Sequence, residues 1–270
     1  MHVLSGPTLC GIAFVHKISL ALDGLMKLRA YGRTDRGQRR EKNEDSMVCA
    51  LDSGVFAVAD GLGGLPRGEV ASQLAIDSVS KELQDAKPEE PGRNSVLQAS
   101  LVANRAVYHM GTTINQETGI GTTLTLVRII SNRLYAAHVG DTSLYVQRRG
   151  QLSKLSKDHT MAQDVRDRLG PDEEAYIPEY FDHTLTRCLG QQPTVEVDLL
   201  EYAVIGEDRI FLCSDGVQKV FEDSELSKLI HAAPNPQHLI DQIVEQGNER
   251  GAPDNITAIT IFVESAPDED

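Results

Sequence analysis

Four aspartates in this sequence stand where a strand-like apolar run meets a glycine or a polar residue. Val55 to Ala59 is unbroken and apolar, then ends in Asp60-Gly61, with Gly63 and Gly64 close behind. Arg133 to Val139 runs into Gly140-Asp141, and Arg209 to Ser214 runs into Asp215-Gly216. Asp254-Asn255 opens the apolar alternation from Ile256 to Val263, and far upstream Arg40 is followed by the acidic pair Glu44-Asp45. One Asp-Gly is as readily an ordinary turn as a site. Four carboxylates at strand ends, with an acidic pair besides, share a more economical purpose: a cage of hard oxygen donors for divalent cations. A structural Ca2+ module would place its ligands in one short contiguous loop, whereas these are spread over most of the chain.

The segments between them must supply the frame. Val70, Ala71, Leu74, Ala75, Val79 and Leu83 recur at helical spacing, which predicts a helix from Gly68 to Asp85. Prolines and a glycine between Lys87 and Arg93 break it, and a second helix is expected from Asn94 or Ser95 through Val107. Thr122–Ile130 and Arg133–Val139 read as a hairpin turning at Ser131-Asn132, and Leu144–Arg148 with Gln151–Leu155 as another. Asp158 to Leu169 reads as a helix, and Gly170 to Tyr180 as a loop, either a flap or a plain surface excursion. Helices follow over Ser224–Ala232 and Gln237–Arg250, then a closing strand over Ile256–Val263. Short turns make the strand pairs antiparallel, and helices arriving in pairs cover the outer faces of packed sheets.

Composition limits the partners. A net charge of -14 argues against a nucleic-acid binder, which would need a basic face. Cys10, Cys49, Cys188 and Cys213 lack both metal-ligand spacing and a disulfide pattern, which favours a reducing cytoplasm. No apolar run reaches the length of a membrane span. Residues 1–27 carry neither a basic leader nor a clean apolar run and read as an extension of unknown role; residues 28–264 form one domain, and residues 265–270 a disordered tail.

In chain order the pattern is Arg40, Glu44-Asp45, Asp60-Gly61, Gly121-Thr122-Thr123, Gly140-Asp141, Asp215-Gly216 and Asp254-Asn255. This resembles the metal-dependent Ser/Thr protein phosphatases, the PPM or type 2C family, in its bacterial branch, from about Tyr31 to Val263. The resemblance implies an α+β fold, an αββα sandwich of two central antiparallel sheets flanked by helices, with the metal centre at one end of the sheets. It implies a phosphoprotein hydrolase with two Mn2+ or Mg2+ ions held by Asp60, the Gly61 carbonyl, Asp215 and Asp254. Glu44 and Asp45 match an acidic pair acting largely through water, and Asp141 matches a residue linked to a third, weaker ion. Arg40 matches the arginine that grips the substrate phosphate, so its removal is expected to leave metal binding almost unchanged. The implied partners are phosphorylated proteins of a Ser/Thr kinase pathway, with no nucleic acid and no membrane, met by a cytoplasmic monomer.

Two positions depart from the family pattern. Leu62 stands where the animal enzymes carry a histidine proposed as general acid, and His159 reads as a structural hydrogen-bonding residue and not as its replacement. Thr142-Ser143 stands where a serine and an arginine are usual, so a cation is lost near the site. Thr122 and Thr123 read as core strand residues, and Arg187 either as a substrate contact or as a salt-bridge partner.

Overall fold

The computed structural model describes residues 12–15, 19–20, 26–84, 92–169 and 176–265. The strands are β1 (Ile12–Val15), β2 (Ser19–Leu20), β3 (Lys27–Asp35), β4 (Asp45–Ala50), β5 (Val55–Asp60), β6 (Leu124–Ile130), β7 (Arg133–Val139), β8 (Ser143–Arg148), β9 (Gln151–Lys154), β10 (Asp198–Ala203), β11 (Arg209–Cys213) and β12 (Ile256–Ser265). The helices are α1 (Gly68–Gln84), α2 (Gly92–Ile114), α3 (Met161–Arg168), α4 (Asp215–Gln218), α5 (Asp223–Ala232) and α6 (Pro236–Glu249). One sheet runs β1-β3-β12-β11-β8-β9, with β2 also on β3; the other runs β10-β7-β6-β5-β4, and every pairing is antiparallel.

Three apolar layers hold the sandwich. Between the sheets lie Phe56 and Val58 of β5, Val127 of β6, Ile210 and Leu212 of β11, and Ile259 and Ile261 of β12. Their neighbours in sequence face the other way. Val55, Ala57 and Ala59 pack under α1 and α2, while Phe211, Cys213 and Ala258 pack under α5 and α6. A strand buried on both faces has no polar side to alternate with, which is why β5 reads as a continuous apolar run. Truncating the fully buried Phe56 to Ala would cost about 3–5 kcal/mol.

The expected αββα sandwich is thus the observed one, with shifted helix limits. α2 begins at Gly92 and continues to Ile114, past the expected end at Val107. Its last two turns send only Gly111 into the interior, so apolar periodicity carries no trace of them. α3 starts at Met161 and not at Asp158, because Thr160 is extended and its Oγ1 accepts the Gln163 N–H at 3.2 Å, an N-cap. Asn235 caps α6 in the same way, through His238 N–H, with Pro236 at the first helical position. β12 runs two residues beyond Val263, and the core begins at the buried Met26. Cys10, the breaker over residues 85–91, the flap residues 170–175 and the tail beyond Ser265 lie outside the described residues. Among the described residues no helix is long and apolar enough to cross a membrane.

Candidate metal centre

The strand ends converge at one edge of the sandwich. Asp45 and Asp60 are direct partners across β4 and β5. The Asp60 backbone is clamped by the two residues just ahead of β6: its N–H donates to Thr123 Oγ1 at 2.9 Å, and its carbonyl accepts Thr122 Oγ1 at 2.8 Å and Thr123 N–H at 2.9 Å. Thr122 and Thr123 are therefore buried positioning residues; they are core residues as expected, but β6 starts only at Leu124, so they precede the strand because their bonds go to Asp60 and Leu189. Gly61 N–H donates to the Glu44 carbonyl at 3.0 Å, which ties the acidic pair to the same corner.

The other sheet delivers Asp215 and Asp254. Asp215 opens α4 directly after β11, and Ser214 Oγ donates to Asp45 Oδ2 at 2.8 Å, linking the two sheets. Gly216 lies so close to the Asn255 carbonyl that a Cβ there would overlap it, so the α4 turn and the Asp254-Asn255 loop touch backbone to backbone. Asn255 does the stitching: its Oδ1 accepts Glu44 N–H at 2.9 Å, and its Nδ2 donates to the Arg36 and Lys42 carbonyls at 2.8 and 2.9 Å. Asp141 follows Gly140, whose φ of +111° is a left-handed conformation that disfavours any side chain. His159 fixes that turn, accepting Gly140 N–H on Nδ1 at 3.0 Å while its own N–H donates to the Gly140 carbonyl at 2.8 Å. It is buried and structural, as its sequence context implies.

Arg40, Glu44, Asp60, Gly61, Asp141, Asp215 and Asp254 all line a single cleft of about 850 Å³, and Leu62 lines it too. Asp45 does not. It is 7% exposed, beside Asp60 on the neighbouring strand, where it acts from within the sandwich. Arg187 also lines the cleft and pairs with Asp198 at 2.7 Å, which is the salt-bridge reading of that residue.

Burial dominates the electrostatics, and crowding of like charge adds to it. Burial, and then the charges of Asp45, Asp215, Asp141 and Asp254, hold Asp60 well above the usual carboxylate range. Burial raises Asp45 to about 7 against the hydrogen bonds from Thr257 and Ser214, with Asp215 and Asp254 adding to the rise. Asp141 is pushed to about 7 by burial, Asp215 and Asp158. Two buried oxygens of the cluster, Oδ1 of Asp45 and Oδ1 of Asp215, have no hydrogen-bond partner. Orphaned oxygens within an all-oxygen, repulsive cluster are the donor chemistry of a hard divalent cation, so the residue types suit such an ion although they are not drawn together around one point.

Two side-chain cations already touch the cluster. Arg40 Nη2 donates to Asp254 Oδ2 at 2.8 Å, so the guanidinium assigned to substrate also contacts a carboxylate assigned to metal. That contact joins the phosphate-gripping position to the carboxylate cluster. Lys219 Nζ lies 2.6 Å from Asp215 Oδ2 and 2.6 Å from Asp254 Oδ2. Among the described residues no three of His, Cys, Asp or Glu converge on one point. The sequence reading missed Lys219, although its place four residues after Asp215 puts it on the same side of a helical turn.

A family model described as Protein phosphatase 2C matches residues 34–256. The chain belongs to that family. Serine/threonine protein phosphatase PstP of Mycobacterium tuberculosis is 32% identical over 241 residues, covering 87% of this chain and 45% of that protein. This family member thus spans about half the length of that curated relative. Serine/threonine phosphatase Stp of Listeria monocytogenes is 27% identical over 240 residues, covering 87% of this chain and 95% of that one. A crystal structure of the catalytic domain of PstP in complex with two manganese ions superposes with a TM-score of 0.77 at 32% identity. It covers 89% of this chain and all of that one.

Proposed function

We propose that this chain is a Mn2+- or Mg2+-dependent protein phosphatase that hydrolyses phosphoserine and phosphothreonine. The observation that carries the reading is the meeting of Asp60, Asp141, Asp215 and Asp254, from four strand ends in two sheets, with Arg40 in one cleft. In this reading Asp60, the Gly61 carbonyl, Asp215 and Asp254 hold two divalent ions. Glu44 and Asp45 support them, and Asp141 serves a third, weaker one. Bound there, divalent ions lower the pKa of a water and offset charge developing on the phosphoryl oxygens.

The remaining work falls to the protein. Arg40 offers a planar pair of donors to two phosphate oxygens, and its contact with Asp254 sets where that pair points. Ser214 and Asn255 hold Asp45 and the Glu44 backbone in place, so the carboxylates do not have to be reorganised during the reaction. Leu62 makes the cleft wall apolar where an acid could have stood. The proton for the departing seryl or threonyl oxygen then falls to water or to another group of the cleft.

The domain is taken as residues 28–264, acting as a cytoplasmic monomer on the phosphoproteins of a Ser/Thr kinase pathway. The free, buried thiols of Cys49 and Cys213 support a reducing compartment. The test is hydrolysis of a phosphothreonine peptide with Mn2+ and with excess chelator. Turnover with metal and none with chelator supports the reading; full turnover in chelator overturns it. A second reading, a phosphoprotein-binding member without turnover, is favoured by the Lys219 ammonium resting on two of the carboxylates. It predicts peptide binding and no hydrolysis in the same assay.

A further inference from the structure

Lys219 follows directly on α4, its N–H donating to the Asp215 carbonyl at 2.9 Å. Its pairing with Asp215 alone would be an ordinary ion pair four residues apart, worth little. The side chain does more than that. It also reaches Asp254, on a loop of another part of the chain, and it is only 24% exposed. An ammonium has three donors and no acceptor, and here two of them engage Oδ2 atoms of carboxylates that rise from different elements. With Arg40 on the same Asp254 oxygen, that oxygen carries two cationic partners. A divalent ion approaching Asp215 and Asp254 would meet a positive charge a hydrogen bond away from each.

We propose that Lys219 is a tethered counter-cation of the metal centre: it holds Asp215 and Asp254 together in the metal-free protein and is displaced from them when divalent metal binds. The proposal rests on the reading of those two aspartates as metal ligands. Metal uptake is then an exchange of cations, and Lys219 sets the metal concentration at which the enzyme loads. The metal-free site is also spared the full repulsion of its carboxylates, so the fold does not depend on prior metal capture.

Mn2+ binding to the full chain, read by isothermal titration calorimetry, tests this together with the melting temperature of the metal-free protein. Lys219→Met keeps the aliphatic stem and removes the charge. It should bind Mn2+ about tenfold tighter and melt a few degrees lower without metal. Lys42, 65% exposed and paired with Glu69 at 3.4 Å, supplies the control. Lys42→Met should change Mn2+ affinity by less than about twofold, since an exposed charge is screened. Unchanged or weaker Mn2+ binding in Lys219→Met overturns the proposal, and so does equal tightening in both variants, which would mark a general field effect. In the wild-type chain the Lys219 ammonium 15N resonance should shift on saturation with Mg2+, and a resonance that stays in place also overturns it, whatever the variant's folding. If the wild-type chain takes up no Mn2+ at all, the metal-centre reading itself has failed, a result distinct from each of these.

Discussion

At the scale of single residues, the carboxylates of the cleft are not equivalent. Asp60 is surrounded by like charge, with no ammonium in contact, whereas Asp254 sits between Arg40 and Lys219. Burial works against ionised Asp254, but the hydrogen bond and charge of Lys219, with Asn255 N–H and Arg40, bring it below the usual carboxylate range. Asp60→Asn should therefore abolish turnover while raising the metal-free melting temperature, because it relieves repulsion. Asp254→Asn should also abolish turnover but lower that temperature, because it strands two cations. Calorimetric melting of both variants without metal separates the cases, and a rise in both would show that Lys219 contributes nothing to the metal-free fold. Arg40→Ala should reduce catalytic efficiency roughly 30- to 1,000-fold, the worth of a lost charge-assisted bidentate contact of about 2–4 kcal/mol. Through Asp254 it should also shift Mn2+ affinity, which a titration at several metal concentrations reads directly. The four aspartates were legible in the sequence because each stands beside a strand end or a glycine, and Arg40 because it precedes the acidic pair in the family's motif order. Lys219 was not, since a lysine in a short helical turn looks like any solvated charge. The sequence marks a cation lost at Ser143; only the fold brings another one in. Ser143 Oγ donates to Gln218 Oε1 at 3.0 Å, one residue before Lys219.

At the scale of elements, the site depends on backbones that approach more closely than side chains allow. Gly216 is the clearest instance, because any Cβ there must move the Asn255 carbonyl and with it Asp254. Gly216→Ala should cost about 1–3 kcal/mol of stability, as overpacking does. It should weaken Mn2+ binding more than Ala substitutions on exposed faces of α6. Chemical denaturation and metal titration of the same protein check both parts, and a fully stable variant with wild-type affinity would show that the loops yield freely. The strands and the apolar faces of the helices were legible because burial imposes a period on them. The ends of α2 and α3 were not, since one turns on an exposed stretch past Val107 and the other on a threonine cap after Asp158-His159.

At the scale of the molecule, the cleft joins two sheets that meet mainly through apolar contacts, and its charge sets how well they stay joined. Asp45, Asp60 and Asp141 all have folded-state values above the ordinary carboxylate range. Between that range and about pH 7 the native state therefore binds more protons than the unfolded one. Stability is then fully present at acidic pH and is lost as pH rises through the folded values. The metal-free protein should melt progressively lower from about pH 5 to pH 8, and saturating Mn2+ should flatten that slope, since the ion replaces the protons. A metal-free melting temperature that climbs over the same interval would contradict the charge arrangement described here.

The place of β12 has a consequence for how the protein comes into being. The strand lies between β3 and β11, inside its sheet, although it is the last of the described strands to be synthesised. Until it inserts, β3 near the start of the domain has no neighbour on that side, and Asp254, just ahead of it, has not met Asp60. Contacts across so much of the chain are slow to close. A ribosome-bound chain that stops short of Asp254 therefore has neither a closed sheet nor a full set of carboxylates. In the proposed reading, hydrolysis therefore begins only once β12, the last of the described strands, is in place.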